Sequence, residues 1–178
     1  MPNALSKVFA IFITVVLLFV FPMKNELERQ DETSRMFVLN ETAGLVDSVR
    51  NLGYLSPDMY EKYLDKLALT GNLYKVELEH AALIVYPVYD SSGNPVPGDY
   101  LQTYKNTYED VIEECLFPLN NPLTGKAYDM KKGDYFCVRV VNQNKTTATK
   151  LQELLYGRAM RAEKIFVTYG GMIKDESD

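Results

Sequence analysis

The run VFAIFITVVLLFVFPM, from Val8 to Met23, decides how the rest of the chain can fold. It carries no charge and is rich in Val, Ile and Phe, a composition that suits a helix in lipid, where backbone hydrogen bonds must close internally. As an α-helix it measures about 24 Å, and Ala4 and Leu5 can extend it toward the roughly 30 Å hydrocarbon core of a bilayer. Lys7 can reach the headgroups with its long side chain. We predict a transmembrane anchor over residues 8–23.

Three kinds of processing signal match this segment poorly. A secretory signal peptide ends in small residues, whereas this run ends in Phe21, Pro22 and Met23. A prepilin leader needs a glycine before the apolar run, and the first glycine of the chain is Gly44. A lipoprotein needs a cysteine at the end of the run, and none is there. An uncleaved anchor is therefore the prediction, with signal-peptide cleavage as the alternative.

The flanks of the apolar run predict its orientation. On the N-terminal side lie Lys7 and the α-amino group, whereas the segment Lys24–Glu32 (KNELERQDE) is net acidic. Positive charge favours the cytoplasmic side. We therefore expect a single-pass protein of the cell membrane, with the N-terminus in the cytoplasm and the C-terminal domain outside.

Charge and aromatic content limit the partners of that domain. The chain has a formal net charge of −5, and the part after the anchor carries −6 because Lys7 is the only charged side chain before Lys24. An acidic domain repels phosphate backbones, so nucleic acid is not expected as a partner. Thirteen Tyr and no Trp favour a sheet or a contact surface, since a Tyr ring packs while its hydroxyl stays in water.

Helical signals follow the anchor directly. Residues 26–52 read as one long helix, polar at first and then, from Met36 onward, apolar at helical spacing. Gly53 is a natural residue to end that helix. Ser56 followed by Pro57 predicts the N-cap and first position of a second helix. Further helices are expected over residues 108–116 and from Thr146 or Thr147 to Tyr156, the last ended by Gly157.

Strand signals fill the rest of the domain. Tyr74 to His80 alternates between apolar and polar residues, and residues 82–88 read as a second apolar strand. Turn residues over 90–95 predict a hairpin with residues 96–103. Tyr135 to Asn142 is a strand, and residues 164–169 are the last one. The unit from Tyr135 to Tyr169 fits a right-handed crossover.

These signals together predict an α+β fold, in which the transmembrane helix continues into a long amphipathic helix packed on a mainly antiparallel sheet. The layout is similar to that of a pilin. The predicted segments are residues 1–7 in the cytoplasm, 8–23 as the anchor, 24–35 as a polar stalk helix, 36–174 as the extracytoplasmic α+β domain and 175–178 as an acidic tail.

Residues able to carry chemistry are few. His80 is the only histidine and continues an alternating strand, so a structural role is expected. Cys115 and Cys137 are either a disulfide or two buried free thiols. No G-x-S-x-G, P-loop, H-E-x-x-H or dinucleotide motif occurs. We therefore predict no enzyme and no catalytic, cofactor or metal site.

Gly170 and Gly171 follow the predicted last strand. The simplest interpretation is a tight turn that ends the strand. The alternative is a close-approach contact for a neighbouring subunit, since glycine lets two backbones come near each other.

Four short segments and the overall layout resemble a known group of proteins. The segments are Glu28–Asp31, Gly71–His80, Lys132–Phe136 and Tyr169–Met172. An apolar anchor that runs into a long helix and a compact α+β head resembles pilins and pseudopilins. More specifically, the chain is similar to small membrane-anchored proteins of tight-adherence (Flp-type) pilus and related secretion systems of Gram-positive anaerobes. No prepilin-peptidase site precedes the apolar run, so the resemblance implies an unprocessed accessory or priming component.

The resemblance implies a structural or assembly role as a minor pilin-like or secretion-system accessory protein. The implied partners are membrane lipid and other pilin-like or secretion-system membrane proteins. The alternative is an anchored extracytoplasmic ligand-binding or sensory module that acts through a membrane partner. Co-purification of a secretion ATPase or of other pilins would favour the first interpretation, and a specific small ligand would favour the second.

Overall fold

A long N-terminal helix organises the computed structural model, which describes residues 2–119, 125–162 and 164–174. Its elements, in chain order, are α1 (Pro2–Val15), a π-helical turn (Val16–Val20), α2 (Phe21–Leu52), β1 (Tyr54–Leu55), α3 (Pro57–Ala68), β2 (Tyr74–Tyr89), β3 (Pro95–Tyr108), α4 (Glu109–Leu116), β4 (Tyr128–Asp129), β5 (Tyr135–Asn142), α5 (Thr147–Tyr156) and β6 (Phe166–Met172).

The helix runs from the apolar segment into the domain without a break. Pro22 lies inside it and has no N–H to donate, and its ring crowds the carbonyl one turn earlier. The π-helical turn over Val16–Val20 ends two residues before this proline. A wider turn at that point relieves the crowding and lets α1 and α2 follow one another.

The second half of α2 is the centre of the hydrophobic core. Its buried face consists of Val38, Thr42, Leu45, Val46 and Val49, which recur at the helical spacing that the sequence predicts. One side of this face packs against α3, which buries two tyrosines and a leucine. The other side packs mainly against β6, with further contacts to β5 and α5. The predicted docking of the long helix on an α+β domain is confirmed.

Local capping signals act as the sequence predicts. Gly53 takes a left-handed conformation (φ 76°) and donates its N–H to the Val49 carbonyl over 2.8 Å, which ends α2. The Ser56 hydroxyl accepts from the Met59 N–H at 3.2 Å and caps α3. Thr146 caps α5 in the same way.

The main sheet has four strands in the order β3-β2-β5-β6, and every neighbouring pair is antiparallel. Leu78, Phe136, Val138, Val140 and Val167 are buried on the inner face toward the helices. Lys75 and Arg139 alternate with them on the outer face. A small antiparallel ladder of β1 and β4 lies beside the sheet.

Two strand predictions are wrong. The segments 74–80 and 82–88 form one continuous strand, β2, because Ala81 between them pairs with Asn106 on one side and Tyr135 on the other. β5 and β6 are antiparallel, so the unit from Tyr135 to Tyr169 is not a right-handed crossover. The chain after β5 turns down beside α2 as α5 and returns at the sheet edge, which reverses the last strand.

The predicted polar stalk, residues 24–35, is not fully exposed. α5 packs along one side of it, and the Gln152 side chain donates to the Glu28 carboxylate. The predicted acidic tail, residues 175–178, lies outside the described residues, as do residues 120–124 of the predicted loop.

Candidate functional site

The first part of the long helix carries a continuous run of exposed apolar side chains. Phe12 and Phe19 expose 64% and 70% of their surface, and no residue of the most apolar stretch is buried inside the domain. Among the described residues, this one helix (Ala4–Leu52) is long and apolar enough to cross a membrane. Such a helix satisfies its own backbone hydrogen bonds and gains free energy when its side chains leave water.

The same helix is joined firmly to the domain at its far end. The Arg50 Nε donates to the Met172 carbonyl at 3.0 Å, and the Arg50 carbonyl accepts from the Lys174 N–H at 2.8 Å. Arg50 also pairs with Asp47 one turn earlier, at 2.7 Å. These bonds tie the end of α2 to the end of β6, so a force on the apolar segment reaches the sheet directly.

Gly170 and Gly171 lie within β6, so the prediction that they end the strand is wrong. A Cβ on Gly171 would stand 2.5 Å from the Arg50 Nε, and one on Gly170 would stand 2.9 Å from the Phe136 carbonyl and the Tyr135 hydroxyl. The close approach at both glycines is therefore made within this chain. A subunit contact at this position stays a prediction.

The hairpin of β2 and β3 extends beyond the sheet. β5 pairs with β2 only as far as Ala81, opposite Tyr135, and the remaining residues of β2, to Tyr89, pair with β3 alone. At about 3.3 Å per residue this arm is roughly 25 Å long. It starts at the level of β6's end and Arg50, away from the apolar segment. Its exposed apolar side chains are Val85, Tyr86, Tyr89, Tyr100, Leu101 and Tyr104.

His80 lies in a buried polar cluster at the base of that arm. Its Nε2 lies 3.0 Å from the Asp134 carboxylate, and its Nδ1 lies 2.9 Å from the Tyr128 hydroxyl. The Asp134 carboxylate also accepts from the N–H groups of Leu83 and Lys131, both at 2.8 Å. Both ring nitrogens are thus engaged, and the cluster joins β2, β4 and the start of β5. The expected structural role fits this geometry.

The ionised form of Asp134 is favoured by its surroundings. Burial on its own would raise the pKa of this carboxyl, but the hydrogen bonds from Lys131, Leu83 and His80 outweigh it and lower the pKa from the ordinary value of 3.8. Sequence reasoning did not find Asp134 or Tyr128 as partners of His80. An aspartate just before a strand is common, and its burial (4% exposed) follows only from the fold.

Two tyrosines of α3 are buried against α2 and α4. The Tyr63 hydroxyl lies 2.8 Å from the Thr42 hydroxyl, and Tyr60 donates to the Glu113 carboxylate at 2.9 Å. Burial raises the pKa of both phenols, that of Tyr63 to about 12. The two bonds satisfy both hydroxyls inside the core and join α3 to α2 and α4.

The structure does not bring the two cysteines together. Both are free thiols. Cys137 lies on the outer face of β5, opposite Glu79 and Gly170 in the neighbouring strands. Cys115 lies at the end of α4, where its thiol faces the carbonyls of Lys126 and Ala127 at 3.9 and 4.0 Å. A disulfide between them would require one of the two elements to move.

An open groove crosses the outer face of the sheet between β2, β5 and β6. Its charged lining is largely paired within itself, because Lys75 and Arg139 lie 2.8 and 3.7 Å from the Glu77 carboxylate. Arg161 and Phe166 also line it. Self-paired charges attract an ionic ligand weakly, so the groove gives little support to a ligand-binding role.

The described residues contain no group of three or more His, Cys, Asp or Glu side chains that could hold a metal ion.

Comparison with known proteins adds no family to this description. No protein-family model, no curated protein and no solved structure matches the chain.

Proposed function

We propose that this chain is a membrane-anchored, pilin-like structural or assembly protein whose folded domain lies outside the cytoplasm. One observation carries the proposal: a single helix is both the exposed apolar segment and the spine of the domain core. Anchors joined to a domain by a flexible linker hold it loosely. A continuous helix instead fixes the domain relative to any helix that packs beside the apolar segment.

Exposed apolar residues support this role because they need lipid or other helices around them. In lipid, helices associate through close packing rather than through the hydrophobic effect. The large side chains of Phe12 and Phe19 offer packing surface all along the segment. The domain then offers its outer sheet face and the β2–β3 arm for contacts outside the membrane.

The orientation in this proposal follows from charge. Lys7 precedes the apolar run, and the acidic stretch Glu26–Glu32 follows it. The positive-inside bias then places the domain on the outer side. Protease treatment of intact cells or protoplasts checks this directly. The C-terminal half should be digested from outside while an N-terminal fragment stays in the membrane fraction.

Photo-crosslinking tests the assembly role. A photoreactive phenylalanine analogue at Phe19, in the apolar segment, should form adducts with other membrane proteins that begin with an apolar helix. The matched control carries the analogue at the exposed domain residue Leu69 and should not form those adducts. If Phe19 yields only lipid adducts while the topology holds, the chain is an anchored module that works alone in the membrane, and the assembly role is wrong.

A further inference from the structure

The helix α5 descends along α2 toward the apolar segment. Three contacts mark its path. Thr146 donates to the Asp31 carboxylate at 2.7 Å, Gln152 donates to Glu28, and the Lys24 ammonium lies 6.0 Å from the centre of the Tyr156 ring. The numbers fall along α2 as they rise along α5, so the two helices are antiparallel. Tyr156 therefore reaches the level of Lys24, directly after the apolar run.

The last turn of α5 exposes apolar side chains at that level. Leu154, Leu155 and Tyr156 expose 81%, 42% and 54% of their surface. The buried side of α5, formed by Ala148, Thr149 and Gln152, is a different face of the helix. Two leucines and a tyrosine in a row, turned away from the core, are unfavourable in water and suited to a membrane interface.

The residues around this turn are basic, although the chain as a whole is acidic. Residues 145–164 contain five Lys or Arg and two Glu, a net charge of +3 in a chain of −5. Glu153 is already engaged, because it accepts from Lys145 and from the Met160 N–H, both at 2.6 Å. Arg158 and Arg161 are exposed. Neither forms an ion pair with any residue that the structure describes.

The loop that carries these arginines is folded back on α5. Gly157 takes a left-handed conformation (φ 62°) and reverses the chain after Tyr156. The Met160 N–H bond to Glu153 and the Lys164 Nζ bond to the Gln152 amide oxygen, at 3.0 Å, then hold the loop beside the helix. Arg158 thus lies beside the end of α5 that carries Leu154, and Arg161 lies further along the loop, where it also lines the groove on the outer sheet face.

We infer that the end of α5 and the loop after it, residues 154–161, form a membrane-contact site that binds anionic phospholipid headgroups. Leu154 and Leu155 enter the interface, Tyr156 lies at headgroup depth, and Arg158 and Arg161 pair with lipid phosphates. This inference rests on the membrane anchoring in the proposed function. The occupant is lipid because the site continues the surface of the apolar helix and opposes the charge of anionic headgroups. The contact would hold the domain at a fixed angle to the bilayer.

Tryptophan fluorescence tests the site, because the natural chain contains no Trp. Three full-length variants each carry one: Leu154→Trp at the site, Phe12→Trp in the apolar segment and Leu101→Trp on the β3 side of the arm. All three positions are exposed, so folding should be unaffected. Each is reconstituted into bilayers of phosphatidylcholine, with or without phosphatidylglycerol, in which some acyl chains are brominated near the headgroup. Bromine quenches a Trp only where it enters the lipid.

The expected result is quenching at 154 and at 12, and none at 101. Adding Arg158→Gln and Arg161→Gln should lower the quenching at 154 by about half in the anionic bilayer and leave position 12 unchanged. If position 12 is quenched while 154 behaves like 101, the anchor holds and the contact site is wrong. If position 12 is not quenched, the anchor itself is wrong. Quenching at 154 that is equal in both bilayers overturns the recognition of anionic headgroups.

Discussion

The side chain of Arg50 crosses β6 directly over Gly171, so closely that a Cβ at position 171 would lie 2.5 Å from the Arg50 Nε and 2.7 Å from its Cζ. From there the Nε donates to the next carbonyl, that of Met172. A glycine that looks like a strand terminator in the sequence is instead the place where the end of the long helix is fastened to the sheet.

Gly171→Ala should therefore destabilise the domain by about 1–2 kcal/mol, since Arg50 must leave its position and give up its bond to the strand. Chemical denaturation monitored by circular dichroism measures the change. In an Arg50→Ala background the same substitution should cost much less, because the obstructing side chain is gone. Gly170→Ala is the matched comparison: its Cβ would meet the Phe136 backbone, so removing Arg50 should not relieve it. Equal costs of Gly171→Ala in both backgrounds would contradict the contact.

Asp134→Asn should cost about 2 kcal/mol, because a neutral amide cannot accept all the hydrogen bonds that the carboxylate takes from His80, Leu83 and Lys131. The pKa of Asp134 is lowered on folding. Its stabilising effect is therefore complete above the ordinary pKa of 3.8 and is lost as the pH falls through the lower, folded-state pKa. Urea titrations between neutral and acid pH should show a smaller acid-dependent loss for the variant.

Asp129→Asn is the control for this effect, since Asp129 is an exposed acid close by in β4. It should leave both the stability and its acid dependence near those of the natural chain. If Asp134→Asn unfolds with the same acid dependence as this control, the buried carboxylate does not contribute in the way described.

Tyr63→Phe should lower stability by about 1 kcal/mol at neutral pH through loss of the bond to Thr42. The pKa of Tyr63 is raised to about 12. Its contribution is therefore full below pH 10 and is lost as the pH rises from 10 toward 12. Far-UV circular dichroism across that range should show that Tyr63→Phe loses less of its stability at alkaline pH than the natural chain does. Tyr100→Phe, at an exposed position of the arm, should lose as much stability at alkaline pH as the natural chain.

Leu17→Arg should weaken membrane association, because a charge near the middle of the apolar segment costs about 3 kcal/mol in a bilayer. Fractionation followed by alkaline carbonate extraction measures the share of protein that stays in the membrane. Leu69→Arg places the same charge on an exposed leucine of the domain and should change nothing. Retention of Leu17→Arg in the membrane at the natural level would contradict anchoring by this helix.

Cys115 and Cys137 should remain reduced in the folded protein even in the presence of mild oxidant, because their side chains face different surroundings. Thiol labelling after denaturation, read by mass spectrometry, should find two labels per chain with or without prior reduction. Burial raises the pKa of the Cys137 thiol, so in the native state this residue should react slowly. A single disulfide-linked species would contradict the arrangement of α4 and β5.

Much of the local structure could be predicted because its causes lie within a few residues. Gly53 ends α2, Ser56 caps α3 and Thr146 caps α5 through bonds that span only three or four positions. The apolar run and the alternation in β2 also depend only on neighbouring residues. These features do not depend on how distant parts of the chain pack together.

The direction of β6 could not be predicted in the same way. A period of two in the sequence is the same for a parallel and an antiparallel strand, so nothing in residues 164–169 distinguishes a crossover from a return. What decides it is the packing of α5 beside α2. That packing depends on Glu28 and Asp31, more than a hundred positions earlier in the chain.

The sequence by itself determined that an apolar helix begins this chain and that an α+β domain follows, because length, charge and periodicity act locally. Only the tertiary structure decided which residues meet. His80 contacts Asp134, which lies 54 positions later in the sequence, and Arg50 bonds to Met172 in β6, which lies 122 positions later. It also decided that α5 brings Leu154 to the end of the apolar segment. The physical reason is that such contacts form only when whole faces of helices and sheets are buried together, and burial is a property of the folded chain.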